Sequence, residues 1–520
     1  MITSRLPFAP SLMLATDKYK LSHHKMIDPE VTEIYTNITP RSAKYAGLYP
    51  DADNKALVVG MRRAIGYIQD LALVFFDTPW AELSDYYNDV LRPSMPANAD
   101  YPGLLAMYKN LHRIGCLPLH IKTLPEGSRC PIKVPFVTIR NTTPDTAYLT
   151  NYLETPINAE IWKTVVDASR AYELLRFLCA AALKTTGTVE GVEYQAHDFS
   201  ARGMSGIMDF TNTGLGHISC FVGSDTTATL EVVNRYYRTR PTDVISSSPP
   251  ATEHMVMSLR GQSNERELFR HLLEDVYPTG IISIVSDTWD YWHILTSIVP
   301  SLKDVILARR PDESGAPAKF VVRPDSGDPV KVICGDPDAP IGSPEYKGSI
   351  EILWDIFGGL TTPQGYKVLN SKIGLIYGDS ITPDRLRLIV KGLIDKGFAS
   401  TNVVFGIGSF TYQYVTRDNF SLATKATWAQ VSGYPVNLIK DPKTDPGKKS
   451  ATGLLQVRKD PLGNFYLKEN CTAEEEASGY LQSLSLNGEF VTPAPYWTDI
   501  RDGVVKQAIQ QGADLDMLLA

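Results

Sequence analysis

The segment Arg323-Pro324-Asp325-Ser326-Gly327-Asp328-Pro329 sets a guanidinium, two carboxylates, a hydroxyl and a glycine directly behind the apolar run KFVV. Its prolines and glycine shape a tight loop. Carboxylates there can accept sugar hydroxyl protons or help hold Mg²⁺, while the arginine can meet a phosphate or a polar ring substituent. The heptapeptide reads equally well as a solvated turn closed by an Asx hydrogen bond. Gly378-Asp379-Ser380 and Phe405-Gly406-Ile407-Gly408-Ser409 end two further apolar runs. Glycine lets phosphate oxygens approach backbone N–H groups, and a following helix N-terminus adds favourable potential. Plain loop formation is the other reading, since neither segment has the glycine spacing of a P-loop or a dinucleotide-binding turn.

His254 ends the proline-rich stretch Ser248-Pro249-Pro250-Ala251-Thr252-Glu253 at a helix start. In that place it can shuttle a proton or accept a phosphoryl group, with the adjacent serine and glutamate orienting it, or be a structural histidine. His197, two residues before Phe199, reads as a buried, hydrogen-bonded residue. The basic loop from Lys440 to Lys449 is preceded by Arg417 and Lys425. Local positive charge of this kind suits a polyphosphate, although a charge run is also an ordinary solvated face.

The elements that must position these groups are concentrated between residues about 190 and 410, where short apolar runs alternate with amphipathic stretches. IGLIYGDS (373–380) predicts a strand, and Thr382-Pro383-Asp384 then supplies an N-cap, a first-turn proline and an acid suited to the helix dipole. Leu386, Ile389, Val390 and Leu393 follow the helical repeat, Gly397 ends it, and NVVF (402–405) predicts the next strand. GIISIVSD (280–287), KFVVRPDSGDP (319–329), HISCFVGSD (217–225) and VEYQAHDF (192–199) read as further strands. Such uninterrupted apolar runs suit buried parallel strands, so the expected fold is α/β, an irregular β/α barrel over 151–410. Loops leaving the C-terminal strand ends of a barrel converge on one face. The candidate ring is therefore Phe199, Arg202, Asp225, Ser283, Asp287, Arg323, Asp325, Asp379 and Gly408. Residues 1–150 and 411–520, which include β-like pieces such as CPIKVPFVTIRN and GLLQVRKD, predict a mixed α+β outer domain built from both chain ends.

Composition sets the outer bounds. With 43% hydrophobic and 21% charged residues, the 520-residue chain has ample material for a core and excludes bulk disorder. A net charge of −7 gives no global field for nucleic acid or an anionic membrane, so a polyanionic ligand must be held by local cations. Cys116, Cys130, Cys179, Cys220, Cys334 and Cys471 form neither a metal knuckle nor a dense disulfide framework. With no secretory leader and no run of roughly 20 apolar residues, a cytoplasmic protein is expected.

Taken in order, twelve segments carry a resemblance to a known family. They begin with Asp17-Lys18-Tyr19-Lys20, His23-His24-Lys25 and Leu149-Thr150-Asn151-Tyr152-Leu153-Glu154-Thr155. His197-Asp198-Phe199 with Arg202-Gly203, Gly223-Ser224-Asp225-Thr226, Pro250 to His254 and Val285-Ser286-Asp287 follow. Arg323 to Gly327, Gly378-Asp379, Phe405-Gly406, Thr416-Arg417-Asp418 and Lys440-Asp441-Pro442 complete the set. This ordered set resembles the nicotinamide phosphoribosyltransferases, type II phosphoribosyltransferases, in register from about residue 14 to 490.

The resemblance implies a homodimer with active sites at the subunit interface, joining nicotinamide to 5-phosphoribosyl-1-pyrophosphate with Mg²⁺. It implies that Phe199 and a Tyr19 of the second chain sandwich the pyridine ring, and that Asp225 accepts from the carboxamide NH₂. Arg202, Ser283 and Arg323 would line the base and ribose, Asp287 and Asp325 the ribose and pyrophosphate, and Gly378, Asp379, Gly408 and Ser409 the 5-phosphate. Arg417 and Lys425, from the second chain, would neutralise that phosphate, while Arg41, Lys440 and Lys448 would hold pyrophosphate. His254 matches the family's phosphohistidine, which couples ATP hydrolysis to product formation. The chain departs from the family at Gly406 to Phe410, where a longer glycine run is usual, and at Gln195, where lysine is common. Pro311 to Ala318 has no counterpart in it.

Three competing readings remain at this level. A nicotinate phosphoribosyltransferase would share the chemistry, but Asp225 would repel a carboxylate base. A silent barrel acting as a binding module would need its core and not its polar strand ends. An aldolase would need a buried Schiff-base lysine at a strand end.

Overall fold

The computed structural model describes residues 11–444 and 449–520; Lys448 lies outside them. Five parallel strands form one sheet: Ala196–Asp198, Val403–Ile407, Ile373–Tyr377, Lys319–Arg323 and Ile281–Val285, in that spatial order. Parallel pairing requires crossovers that cover both faces, which is why these strands carry apolar runs instead of an alternating pattern. Ile373–Tyr377 is buried at every position. The crossover helix Pro383–Asp395 starts where Thr382 accepts a hydrogen bond from Arg385 N at 3.2 Å, and its Leu386, Ile389, Val390 and Leu393 are buried. Gly397, at φ +77°, supplies the left-handed turn that ends it.

The two edges of this sheet are linked by isolated parallel bridges, Asp198 to Ser224, Gly223 to Ser247 and Ala251 to Ser283. Bonds from Asp198 N to Gly223 O (3.1 Å), Ser247 N to Val222 O (2.8 Å) and Ser283 N to Pro250 O (2.9 Å) carry the connection. The stretch 217–225 is thus not the strand its apolar residues predict. His217 and Ile218 are the last turn of the helix Ile207–Ile218, which packs on the long helix Glu154–Thr186. A Cβ on Gly216 would stand 2.8 Å from Ala168 N, so the glycine is what permits that approach. The strand expected over 192–199 likewise shrinks to Ala196–Asp198, because Val192–Tyr194 is a 3₁₀ turn.

A seven-stranded antiparallel sheet is assembled from both chain ends, running Tyr434–Asn437, Ala423–Val431, Val31–Thr39, Val137–Asn141, Leu119–Thr123, Gln482–Leu486 and Glu489–Phe490. The helix Glu154–Thr186 joins the two cores. Its Ile157, Ile161, Val165 and Val166 pack with the antiparallel sheet's core, and its Leu174, Leu175, Phe177 and Leu178 with that of the parallel sheet. Each such side chain contributes about 1.5–3 kcal/mol on burial. The C-terminal helix Trp497–Gln511 inserts Trp497, Ile500 and Val504 into the parallel-sheet core, although it falls within the stretch 411–520 expected to serve the outer unit. Among the described residues no helix is long and apolar enough to cross a membrane.

Candidate active site

Loops leaving the C-terminal ends of the five parallel strands meet on one face. Phe199 follows its strand directly and donates its backbone N–H to Ile407 O at 3.0 Å. Its ring lies over the ends of two other strands. A Cβ on Gly406 would stand 2.4 Å from Phe199 Cδ2, and one on Gly378 would stand 3.2 Å from Cε2. Neither glycine has positive φ, so both serve here to make room for the ring.

Asp225 faces the same space. His197 Nε2 donates to its Oδ1 at 3.0 Å and Ser248 Oγ donates to the same oxygen at 2.5 Å. Burial pushes the Asp225 carboxyl upward, but the His197 and Ser248 bonds and the charge of Arg323 together hold it below its ordinary range. Arg323 donates to Thr252 O and sits among carboxylates. Burial lowers its pKa, and Asp325, Asp225 and Asp287 oppose that; Arg202 is near enough to add repulsion.

Asp287 accepts at Oδ2 from Asp325 N (3.1 Å) and Ser326 Oγ (2.6 Å), while its Oδ1 has no hydrogen-bond partner although the side chain is only 5% exposed. Burial pushes the Asp325 carboxyl above its ordinary range, and Asp287 and Asp379 add to the rise against the pull of Arg323. Asp325 Oδ1 also lies 2.7 Å from where a Cβ on Gly378 would stand. His254 is half-exposed, with Nδ1 3.2 Å from Thr288 Oγ1 and Nε2 3.8 Å from Asp287 Oδ1 and 4.0 Å from Asp325 Oδ2. Its orienting group is thus Thr288, not the serine or glutamate beside it in sequence.

Ser283 is bound through its backbone O by Thr252 N at 3.0 Å, and its Oγ is buried without a partner. Gly408 opens onto free space, and Gly203, next to Arg202, packs on Ser409 so closely that a Cβ would stand 2.6 Å from its Oγ. Buried polar atoms are normally satisfied. Ser283 Oγ, Asp287 Oδ1 and Arg323 Nε are three exceptions on one face, which is what a ligand-binding surface leaves open.

A second group lies on the antiparallel sheet. Lys425 pairs across the sheet with Asn37, and burial lowers its pKa; Glu154 opposes this, while Arg41, Lys440 and Arg417 reinforce it. These four cations therefore share one field. Tyr19, 63% exposed, lies within the field of the same Glu154. Among the described residues no hydrogen bond or ion pair connects this group to the ring around Phe199 and Arg323. Ser248, Thr252 and Thr288 are the residues the sequence reading did not single out for these contacts; nothing in their spacing ties them to Asp225, Arg323 or His254.

No cluster of three or more metal-type side chains is preassembled among the described residues. Mg²⁺ does not require one, because it is commonly held by one or two carboxylates plus substrate phosphates and water. The unpartnered Asp287 Oδ1 and the crowded Asp325 fit such an ion.

Comparison with known proteins shows which family the chain falls in. The nicotinate phosphoribosyltransferase (NAPRTase) family profile matches residues 194–476. The chain is 46% identical over 482 residues to a nicotinamide phosphoribosyltransferase of Acinetobacter baylyi, covering 91% of this chain and 93% of that one. It is 32% identical over 451 residues to one of Mycoplasma pneumoniae, covering 85% and 94%. Among solved structures, the fold is similar to nicotinate-nucleotide pyrophosphorylase from Pyrococcus furiosus, with a TM-score of 0.56, 16% identity and coverage of 97% and 98%. It is also similar to human nicotinic acid phosphoribosyltransferase, with a TM-score of 0.50, 14% identity and coverage of 96% and 94%. Profile, full-length relatives and fold converge, and the chain belongs to the nicotinate phosphoribosyltransferase (NAPRTase) family.

Proposed function

We propose that the chain transfers phosphoribose from 5-phosphoribosyl-1-pyrophosphate to the ring nitrogen of nicotinamide, releasing pyrophosphate and forming nicotinamide mononucleotide. The observation that carries this reading is the Phe199 ring joined through His197 to an Asp225 carboxylate held ionised by its neighbours. An aromatic face receives the pyridine ring, and the carboxylate accepts from the carboxamide NH₂. A nicotinate base would bring a second negative charge to that oxygen, which disfavours the nicotinate reading of the same site.

As the C1–O bond to pyrophosphate breaks, positive charge develops on the ribose and negative charge on the leaving group. We assign Asp287 and Asp325 to stabilising the first and the cations to the second. Ring-nitrogen attack then depends mainly on positioning. Mg²⁺ held by Asp287 or Asp325 with the substrate phosphates would neutralise diphosphate charge. We assign the 5-phosphate to the strand ends at Gly378, Asp379, Gly408 and Ser409, and assign Arg202, Ser283 and Arg323 to base and ribose. We further assign Tyr19, Arg417 and Lys425 of a second copy to that ring, in a homodimer as the resemblance implies, and Arg41 and Lys440 to the pyrophosphate. We read the bridged five-stranded sheet as an irregular β/α barrel and the antiparallel sheet as the outer domain.

His254 is proposed to accept a phosphoryl group from ATP at Nε2. With Nδ1 within hydrogen-bond reach of Thr288, Nε2 is the ring nitrogen that faces Asp287 and Asp325. Six cysteines without a disulfide accord with the reducing cytoplasm. The test is product analysis. Purified protein supplied with nicotinamide, 5-phosphoribosyl-1-pyrophosphate and Mg²⁺ should release nicotinamide mononucleotide and pyrophosphate, and Asp225→Ala should raise the KM for nicotinamide at least tenfold, on the scale of a lost charge-assisted hydrogen bond. Absence of that product, or a wild-type KM in Asp225→Ala, would refute the assignment.

A further inference from the structure

We infer that Ser248 and His197 are positioning residues that set the base preference of the site: both direct a hydrogen at Oδ1 of Asp225, leaving Oδ2 as the oxygen that meets the substrate. The inference rests on the reading of Asp225 as the group that receives the pyridine carboxamide. Ser248 Oγ donates to Oδ1 at 2.5 Å and His197 Nε2 at 3.0 Å, and no protein hydrogen bond to Oδ2 is present among the described residues.

Both donors are fixed from behind. Ser248 follows Ser247, whose backbone bridges Gly223, and precedes two prolines whose rings restrict the chain. Pro250 O is itself tied to Ser283 N at 2.9 Å. His197 sits on the strand Ala196–Asp198, with its ring against Gly223, where a Cβ would stand 2.8 Å from Nδ1. The same imidazole lies 4.9 Å from the Phe199 ring, at 54°. One histidine therefore supports both the aromatic plate and the carboxylate.

The consequence is chemical. With two donors on Oδ1, Asp225 remains a carboxylate, an acceptor only. It is satisfied by an amide N–H and has no proton to offer a pyridine carboxylate. Without Ser248 the carboxylate is held by His197 alone and loses one of the two bonds that favour its charged form.

The experiment measures kcat and KM for nicotinamide and for nicotinate in Ser248→Ala, Ser248→Thr, His197→Gln and Asp225→Ala. Melting curves of each variant report on the fold. Ser248→Ala should raise the KM for nicotinamide about tenfold, the scale of one hydrogen bond to a charged group, with kcat changed less than about twofold. The preference for nicotinamide over nicotinate should fall with it, and Ser248→Thr, which keeps the hydroxyl, should restore both. If Asp225→Ala alone raises KM and erodes the preference while Ser248→Ala and His197→Gln keep wild-type values, the positioning inference is wrong and the base-site reading stands. If Asp225→Ala also keeps wild-type values, the base-site reading itself is wrong.

Discussion

Gly406→Ala adds one methyl group to the floor of the proposed base site and should disable it. Gly406 lies in the strand Val403–Ile407 without positive φ, so alanine meets no backbone penalty there. The obstacle is space. The new Cβ would lie 2.4 Å from Phe199 Cδ2, 2.7 Å from Phe199 Cε2 and 2.7 Å from Gly378 Cα, against 3.4 Å for ordinary van der Waals contact. Gly378 Cα is backbone and cannot swing away, so relief falls on the Phe199 ring, which must retreat by about 1 Å, or on the two strand ends, which must part. Overpacking of this kind costs about 1–3 kcal/mol of stability. Displacing the ring forfeits an aromatic contact of about 0.5–1.5 kcal/mol, a rise of about two- to tenfold in the KM for nicotinamide. Misplacement by about 1 Å lowers kcat further, by as much as about 100-fold. Steady-state kinetics with each substrate varied in turn, beside thermal melting, read these effects separately. Gly408→Ala is the steric control, because nothing lies within 4 Å of its added Cβ and its melting temperature should not change. A Gly406→Ala enzyme with wild-type KM and kcat for nicotinamide would refute the placement of Phe199 in the base site.

Further predictions follow from the charges. The Asp325 carboxyl has its pKa raised in the fold, so its ionised form is the disfavoured one there: stability falls as pH rises through that pKa, and removing the charge is stabilising. Asp325→Asn should therefore melt higher than wild type at pH 7 while losing most of kcat; a lower melting temperature would contradict the burial and carboxylate crowding assigned to it. Asp225→Ala and Lys425→Ala, each weak alone when nicotinamide is kept well below the wild-type KM, should recover about a quarter of wild-type activity when co-expressed, because hybrid dimers rebuild one intact site. No recovery would place both residues in the same chain's site. His254→Ala should abolish ATP turnover and the ATP-dependent fall in substrate requirement while leaving some transfer, and ATP stimulation that survives the substitution would remove His254 from that role.

What was legible in the sequence was what local chemistry specifies. The helix Pro383–Asp395 could be placed because its cap, first-turn proline, apolar repeat and terminal glycine all lie within sixteen residues of one another. The strand-end positions of Phe199, Asp287, Asp325 and Asp379 were readable because a parallel strand announces itself by an apolar run and a polar loop follows it. The stretch 217–225 failed for the opposite reason. Its apolar residues close a helix whose Gly216 serves long-range packing on the helix Glu154–Thr186, and its sheet contact is a single bridge at either of two residues. Ser248 shows the limit most plainly. A serine before two prolines carries no mark of the carboxylate 23 residues away that it binds, because that contact exists only once the sheet edges are joined. The cations Arg417, Lys425 and Lys440 stood out as charge and Arg41 came only with the resemblance, but their common field is set by strand pairing between the two chain ends.

The most direct test offers both bases at once. Purified protein with 5-phosphoribosyl-1-pyrophosphate, Mg²⁺ and equal concentrations of nicotinamide and nicotinate is sampled before either base is depleted, and the two mononucleotides are separated and counted. Nicotinamide mononucleotide should account for nearly all product, since an ionised Asp225 accepts from an amide and repels a carboxylate. Nicotinate mononucleotide in equal or greater amount would contradict the account at its centre.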